Sequence, residues 1–264
     1  MEPRAVIGLE VGVVPMIGRL ALLAAASLLM TAPEVRAQGG PGQLCPGSTA
    51  ALRGHALLRS AMKAAYPNVP ERKADPDEAE PEPCIYPYQA NAFGDAVVLF
   101  TFGQVPGEAC HGCGAKITAT FLRRDGKQLV TVARHPEFTE AGSWGDIGSI
   151  TPVRMGADDG IVIQGGGTFQ GETISALQVF VFRDGQAVRI SPEDGIPLSQ
   201  DTCDAVEGGR PCTNIDGSWK VDSAGRLTIA YRGKRNGKSL PPATVVYERR
   251  GDALEPVSGK PLSF

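Results

Sequence analysis

Hydrophobic positions change their spacing twice along this chain, and each spacing predicts a different element. Leu20 to Met30 (LALLAAASLLM) is an apolar run of 11 residues, too short to span a bilayer but of the length of a signal-peptide core. Arg19 precedes it. Val35-Arg36-Ala37 then places small or apolar residues at the −3 and −1 positions of a cleavage site before Gln38. Residues 1–37 therefore read as a secretory signal. Its working start is Met16, because Glu10 lies in a stretch that suits neither a signal nor a span. Within 38–84, residues 48–65 (STAALRGHALLRSAMKAA) follow helical spacing: Leu52, Leu57 or Leu58, Ala61, Met62 and Ala65 form one apolar stripe. Ser48 or Thr49 supplies the cap, Gly54 weakens the first turns, and the Pro67–Pro70 segment ends the helix. The following PERKADPDEAEPEP (70–83) is acidic and Pro-rich and predicts an exposed loop.

From about Ala96 the spacing shifts to short runs of Val, Ile, Phe and Thr broken by glycine turns, the pattern of an all-β domain over 85–264. Three segments align on a turn glycine: ATFLRRDGKQLVTV (119–132), QVFVFRDGQAVRIS (178–191) and TVVYERRGDALEPV (244–257). Two residues before Gly126, Gly185 and Gly251 stand Arg124, Arg183 and Arg249; three residues after stand Leu129, Val188 and Leu254. Asp-Gly supplies the positive φ angles of a type I′ hairpin turn. A further strand precedes each hairpin: VVLFTF, IVIQ or LTIAY. The expected unit is an antiparallel β-meander repeated three times, arranged propeller-like or blade-stacked, with a β-sandwich or an open, curved sheet as the alternative. Three units are too few to close a propeller.

Composition narrows the partners. The formal net charge is −3, there is no basic cluster, and no second apolar stretch is long enough for a helical span. The expectation is no nucleic acid and no membrane span after signal cleavage. The terminal Phe264 matches the last residue of outer-membrane barrels, but GKPLSF lacks their alternating apolar strand.

All six cysteines lie beyond the signal, in the part of the chain destined for an oxidising compartment. The local pairing Cys45–Cys84, Cys110–Cys113 and Cys203–Cys212 is one of fifteen that six cysteines allow. Cys110-His111-Gly112-Cys113 admits other readings. Covalent haem needs a His directly after the second Cys, where Gly114 stands. A thioredoxin-type dithiol needs a helix start, and AKITATFL reads as a strand. Cys110, His111 and Cys113 remain weak metal candidates, with two thiolates suited to a soft ion such as Cu(I) but too few ligands for a closed zinc site.

No catalytic motif is present: no G-x-S-x-G, H-E-x-x-H, S-x-x-K set or P-loop. Of the three histidines, His55 falls on the helix, His111 in the cysteine loop, and His135 after a strand. A hydrolase site would have to draw on His135, Ser143, Asp146 and Glu172. Gly165 to Glu172 (GGGTFQGE) follows one strand and leads to another, so it predicts a wide hairpin loop or bulge rather than a phosphate loop. Asp158-Asp159-Gly160 lacks the alternating ligands of a calcium loop.

The stretch from GEACHGCGAKITATFLRRDG through GSWGD, GGGTFQGE and CDAVEGGRPCTNID resembles uncharacterised exported β-rich proteins of Gram-negative bacteria, over roughly residues 84–257. The hairpins are distantly similar to FG-GAP-type repeats, without their calcium motif. The resemblance implies export and brings no activity.

The expectation is a periplasmic or secreted, disulfide-stapled, non-catalytic cell-envelope protein without cofactor. It would bind a protein or glycan through a loop site formed by Trp144, Asp146, Phe169 and Gln170. The alternatives are a metal- or thiol-handling protein and the hydrolase.

Overall fold

The computed structural model describes residues 42–74, 83–104, 110–205 and 210–263. The expected signal peptide with its start at Met16, residues 75–82 of the acidic loop, and Phe264 lie outside them. The first elements are two short helices, α1 (Ser48–Ala51) and α2 (Ala56–Ala65). The expected single helix is interrupted at Gly54, whose φ of +86° ends the first piece and leaves His55 at the N-cap of the second. Neither Ser48 nor Thr49 caps α1. Its N-terminal amides are met by the Glu71 carboxylate, which accepts from Gly47 N at 2.7 Å and Thr49 N at 2.8 Å. A hydrogen bond from the Thr49 hydroxyl, and then these amide bonds, hold the Glu71 carboxyl below the usual glutamate range.

The rest of the described fold is antiparallel β. β1 (Cys84–Phe93), β2 (Ala96–Gln104), β3 (Ala115–Asp125) and β4 (Gln128–Ala141) form a four-stranded sheet in sequence order. The remaining strands are β5 (Ser149–Met155), β6 (Asp158–Phe169), β7 (Glu172–Arg183), β8 (Gln186–Arg189), β9 (Ile196–Asp201), β10 (Asn214–Val221), β11 (Leu227–Arg235), β12 (Lys238–Ser239), β13 (Ala243–Arg250) and β14 (Ala253–Ser258). They make a second sheet in the order β14-β13-β11-β10-β9-β7-β6-β5, with β12 and β8 attached to β11 and β7.

The consecutive apolar residues Val97, Val98, Leu99 and Phe100 are all buried because both faces of the first sheet are covered. Val97, Leu99 and Leu122 pack under Leu58, Ala61, Met62 and Ala65 of α2. Val98, Phe100, Ile117 and Phe121 pack on Ile161, Ile163 and Phe180 of the second sheet. Val162, Val179 and Val181 point the other way, into a core shared with Leu198, Ile215, Leu227, Ile229 and Val245. The second sheet must therefore curl over itself. The indole Nε1 of Trp219 on β10 donates to Gln164 Oε1 on β6 at 3.0 Å, across the inside of the curl. The edge strands β5 and β14 do not pair, so the sheet stays open rather than becoming a barrel.

The all-β expectation holds; the propeller-like arrangement is not confirmed. Blades would be separate sheets, whereas the strands of the second and third aligned segments share one ladder through β9 and β10. The alignment itself is out of register by one residue. Asp184 (φ +50°) and Gly185 (φ +73°) form the loop of their hairpin, as expected for type I′. In the other two hairpins the closing pairs are Asp125↔Gln128 and Arg250↔Ala253, so the glycine comes first: Gly126-Lys127 and Gly251-Asp252. Two of the aligned arginines nevertheless converge. Arg183 Nε and Arg249 Nη1 donate to the same oxygen, Asp158 Oδ2, at 2.8 and 2.7 Å. Asp158 thus serves as an ion-pair anchor between the β5–β6 turn and two later hairpins.

Candidate functional site

Three loops meet at one end of the contact between the sheets. The first is Cys110–Cys113, closed by its own disulfide, with Cys113 N donating to Cys110 O at 3.1 Å. The second is the β4–β5 connection, Gly142 to Gly148, which contains Trp144. It is fastened to the first through Gly145 N, which donates to Cys113 O at 2.9 Å. The third is the β6–β7 turn, where Gln170 (φ +53°) and Gly171 (φ +83°) form a two-residue loop directly after Phe169.

Gly165, Gly166 and Gly167 are strand residues of β6 paired with Ala176, Ser175 and Ile174, which corrects the expected wide loop. They are glycines because other chain segments pass too close for a Cβ. One on Gly165 would sit 2.6 Å from Gly142 N, and one on Gly167 would sit 2.8 Å from Ser143 Cβ. This close passage lays the Trp144 loop across β6.

The outcome is a stack of three rings. The His111 imidazole lies 4.5 Å from the Trp144 ring at 26° and 6.3 Å from the Phe169 ring at 18°. Trp144 is 53% exposed and Phe169 43%, unusual values for the largest apolar side chains. Trp144 also holds a left-handed backbone (φ +54°), a conformation a non-glycine residue adopts only when its surroundings enforce it.

The stack is a ridge between two grooves. On the Phe169 side is a groove of about 460 Å³ with Gly165, Gly166 and Gly167 along it and Glu140, Ser175, Gln178 and Asp194 at its margins. Gln178 is fixed there: its Nε2 donates to Glu140 O at 2.8 Å, and its Oε1 accepts from Thr139 Oγ1 at 2.6 Å. On the Trp144 side is a groove of about 690 Å³ whose walls include Tyr86, Tyr88, Phe102, His55 and Asp146. Tyr86 packs on Phe102 at 5.0 Å, and Tyr88 Oη donates to Gly148 O at 3.1 Å. Burial, and secondarily the nearby Asp146 carboxylate, push the Tyr88 phenol above its usual range, so it stays protonated.

The structure thus gathers Trp144 and Phe169 of the expected loop site with His111, which the sequence had placed among the metal candidates. Asp146 faces the second groove, and Gln170 sits at the turn beside Phe169. Tyr86 and Tyr88 were not anticipated: Pro87 between them masks β1, although their alternation is the signal that points to one sheet face.

Of the catalytic candidates, Ser143 and Asp146 lie together in the β4–β5 loop, where Asp146 N donates to Ser143 O at 2.9 Å, but His135 is not brought to them. His135 Nε2 is 2.7 Å from Gly185 O, beyond the far end of β7 from Glu172, whose Oε1 accepts from Gln200 Nε2 at 2.7 Å. His135 packs edge-on against Phe121, a structural role. Cys110 and Cys113 are joined, as are Cys45–Cys84 and Cys203–Cys212, so the described chain carries no free thiol to hold a metal. Among the described residues no group of three or more His, Cys, Asp and Glu side chains is placed to bind an ion.

No protein-family model matches the chain, and no curated protein or solved structure matches it. Three disulfides in an antiparallel β fold define the class: a disulfide-stapled β protein of an oxidising environment. Among the described residues no helix is long and apolar enough to cross a membrane.

Proposed function

We propose that this protein is an exported binding module of the bacterial cell envelope, periplasmic or secreted, that holds its partner on the Trp144–His111–Phe169 ridge. The observation that carries the reading is the exposed stack itself. Large aromatic faces are normally buried. Here a disulfide loop, a strained Trp backbone and a glycine-lined strand combine to keep them outside. Aromatic anchors on rigid supports lose little conformational entropy on binding and dominate recognition energetics. The scattered acid–base candidates favour recognition over hydrolysis.

The test is co-sedimentation of the purified, oxidised protein with the envelope fraction of the cells that make it. The wild type should sediment with that fraction, and Trp144→Ala should lower the retained amount at least tenfold with an unchanged far-UV spectrum. Equal retention of the two proteins would remove the ridge as the binding site.

A further inference from the structure

The two grooves share a chemistry that narrows the ligand. We infer that the ridge binds an uncharged glycan chain, with one pyranose ring stacked on the outer face of Trp144 in the groove of Tyr86, Tyr88 and Phe102. This rests on the ridge being the binding site and specifies what it binds.

Four observations support it. First, the Trp144 groove presents aromatic walls with hydroxyl and carboxylate groups among them. Apolar C–H faces of a sugar pack on rings while its hydroxyls bond to polar groups, and few other ligands need both so closely interleaved. Second, the charged residues lining the grooves are Glu140 and Asp194 on one side and Asp146 on the other, with no Lys or Arg on either. Carboxylates accept from neutral hydroxyls and repel sulfate, phosphate and uronate groups. Third, Tyr86 and Phe102 are ladder partners, which holds both rings at a fixed spacing as a stacking platform, and the outer edge of β1 beside them is occupied at Ile85, whose N–H donates to Gln43 O and whose carbonyl accepts from Cys45 N. A sugar chain needs no free strand edge. Fourth, both volumes fall in the range of small-ligand sites, and the rings between them join the two into one surface long enough for several residues.

The experiment titrates the oxidised protein with linear hexasaccharides of glucose (α1,4 and β1,4) and of N-acetylglucosamine, their disaccharides, sulfated hexasaccharides, and a basic proline-rich peptide. Calorimetry gives affinity, and the indole N–H resonance of Trp144 reports the site; Trp219, bonded to Gln164, serves as the internal control. At least one neutral hexasaccharide should shift the Trp144 signal and bind at least tenfold more tightly than its disaccharide and its sulfated form. Asp146→Asn should narrow the discrimination against sulfate. Trp144→Gly, which suits the left-handed backbone there, should abolish the binding while keeping the fold. If no neutral hexasaccharide binds while the peptide shifts Trp144, the glycan assignment is overturned and the ridge remains a protein-binding site. If no probe shifts Trp144 and Trp144→Ala also leaves envelope retention intact, both the assignment and the ridge fail.

Discussion

Trp144, the proposed contact residue, is held in place at a cost to the fold. A side chain at φ +54° is unfavourable by about 1–2 kcal/mol relative to glycine at the same place. Trp144→Gly relieves that strain, whereas Trp144→Ala keeps it. The glycine variant should therefore be more stable than the alanine variant by about 1 kcal/mol in urea unfolding, the reverse of the usual order for an ordered position. A second single-residue effect is electrostatic. Glu71 replaces the expected Ser or Thr cap, and its bonds with the Thr49 hydroxyl and the amides of Thr49 and Gly47 lower its folded pKa. Its contribution is complete above the pKa of an unfolded glutamate and disappears as pH falls through the lower folded value. Glu71→Gln should cost up to about 1 kcal/mol at neutral pH, and the difference from wild type should vanish in acid. Urea midpoints measured across the acid range would check both statements.

At the scale of elements, the sequence was legible wherever local chemistry decided the outcome. The helical stripe ending at Ala65, the glycine-punctuated hairpins and the cysteine pairs three and nine residues apart are all local. What could not be read was set by distant chain. Gly165 to Gly167 carry a loop signal by composition, yet they pair as strand because the Ala141–Ser143 segment crosses them, a fact absent from the local sequence. Likewise, the turn glycines signal hairpins correctly but leave open which residue closes each one, a choice made by ladder pairing. The close pairing of β6 with β7 predicts a sharp intolerance at Gly166. A Cβ on Gly166 would lie 2.2 Å from Ile174 O in the neighbouring strand, so Gly166→Ala must displace β6 from β7. A loss on the order of 2–3 kcal/mol is expected, together with weakened ridge binding, measured by thermal unfolding and titration. Gly103→Ala, in strand β2 with no neighbouring atom near its Cβ and no left-handed backbone, serves as a glycine control without such a clash.

Over the whole molecule, the three disulfides each fasten a segment bordering the ridge. Cys45–Cys84 ties the chain entering α1 to β1, next to the wall made by His55, Tyr86 and Tyr88. Cys110–Cys113 shapes the loop of His111. Cys203–Cys212 closes the loop whose Ala205 lies against Gly171, in the turn after Phe169. Their expected roles differ with the chain they enclose. The 39-residue separation of the first pair predicts about 4 kcal/mol from loop closure, so its double Ser variant should lose much of its stability. The three-residue separation of the second predicts about 2 kcal/mol at most. Cys110→Ser with Cys113→Ser should remain folded by circular dichroism but lose ligand affinity, because His111 is no longer held against Trp144.

These bonds join the first cysteine to the second, the third to the fourth and the fifth to the sixth. None encloses or crosses another. A chain threaded N-terminus first into an oxidising space exposes each cysteine to its correct partner before a competitor arrives. Simple oxidation in order of emergence therefore yields the native set. The protein should mature with a thiol oxidase alone and have no need of disulfide shuffling, so cells lacking the isomerase should accumulate it at normal levels while their proteins with interleaved disulfides fail.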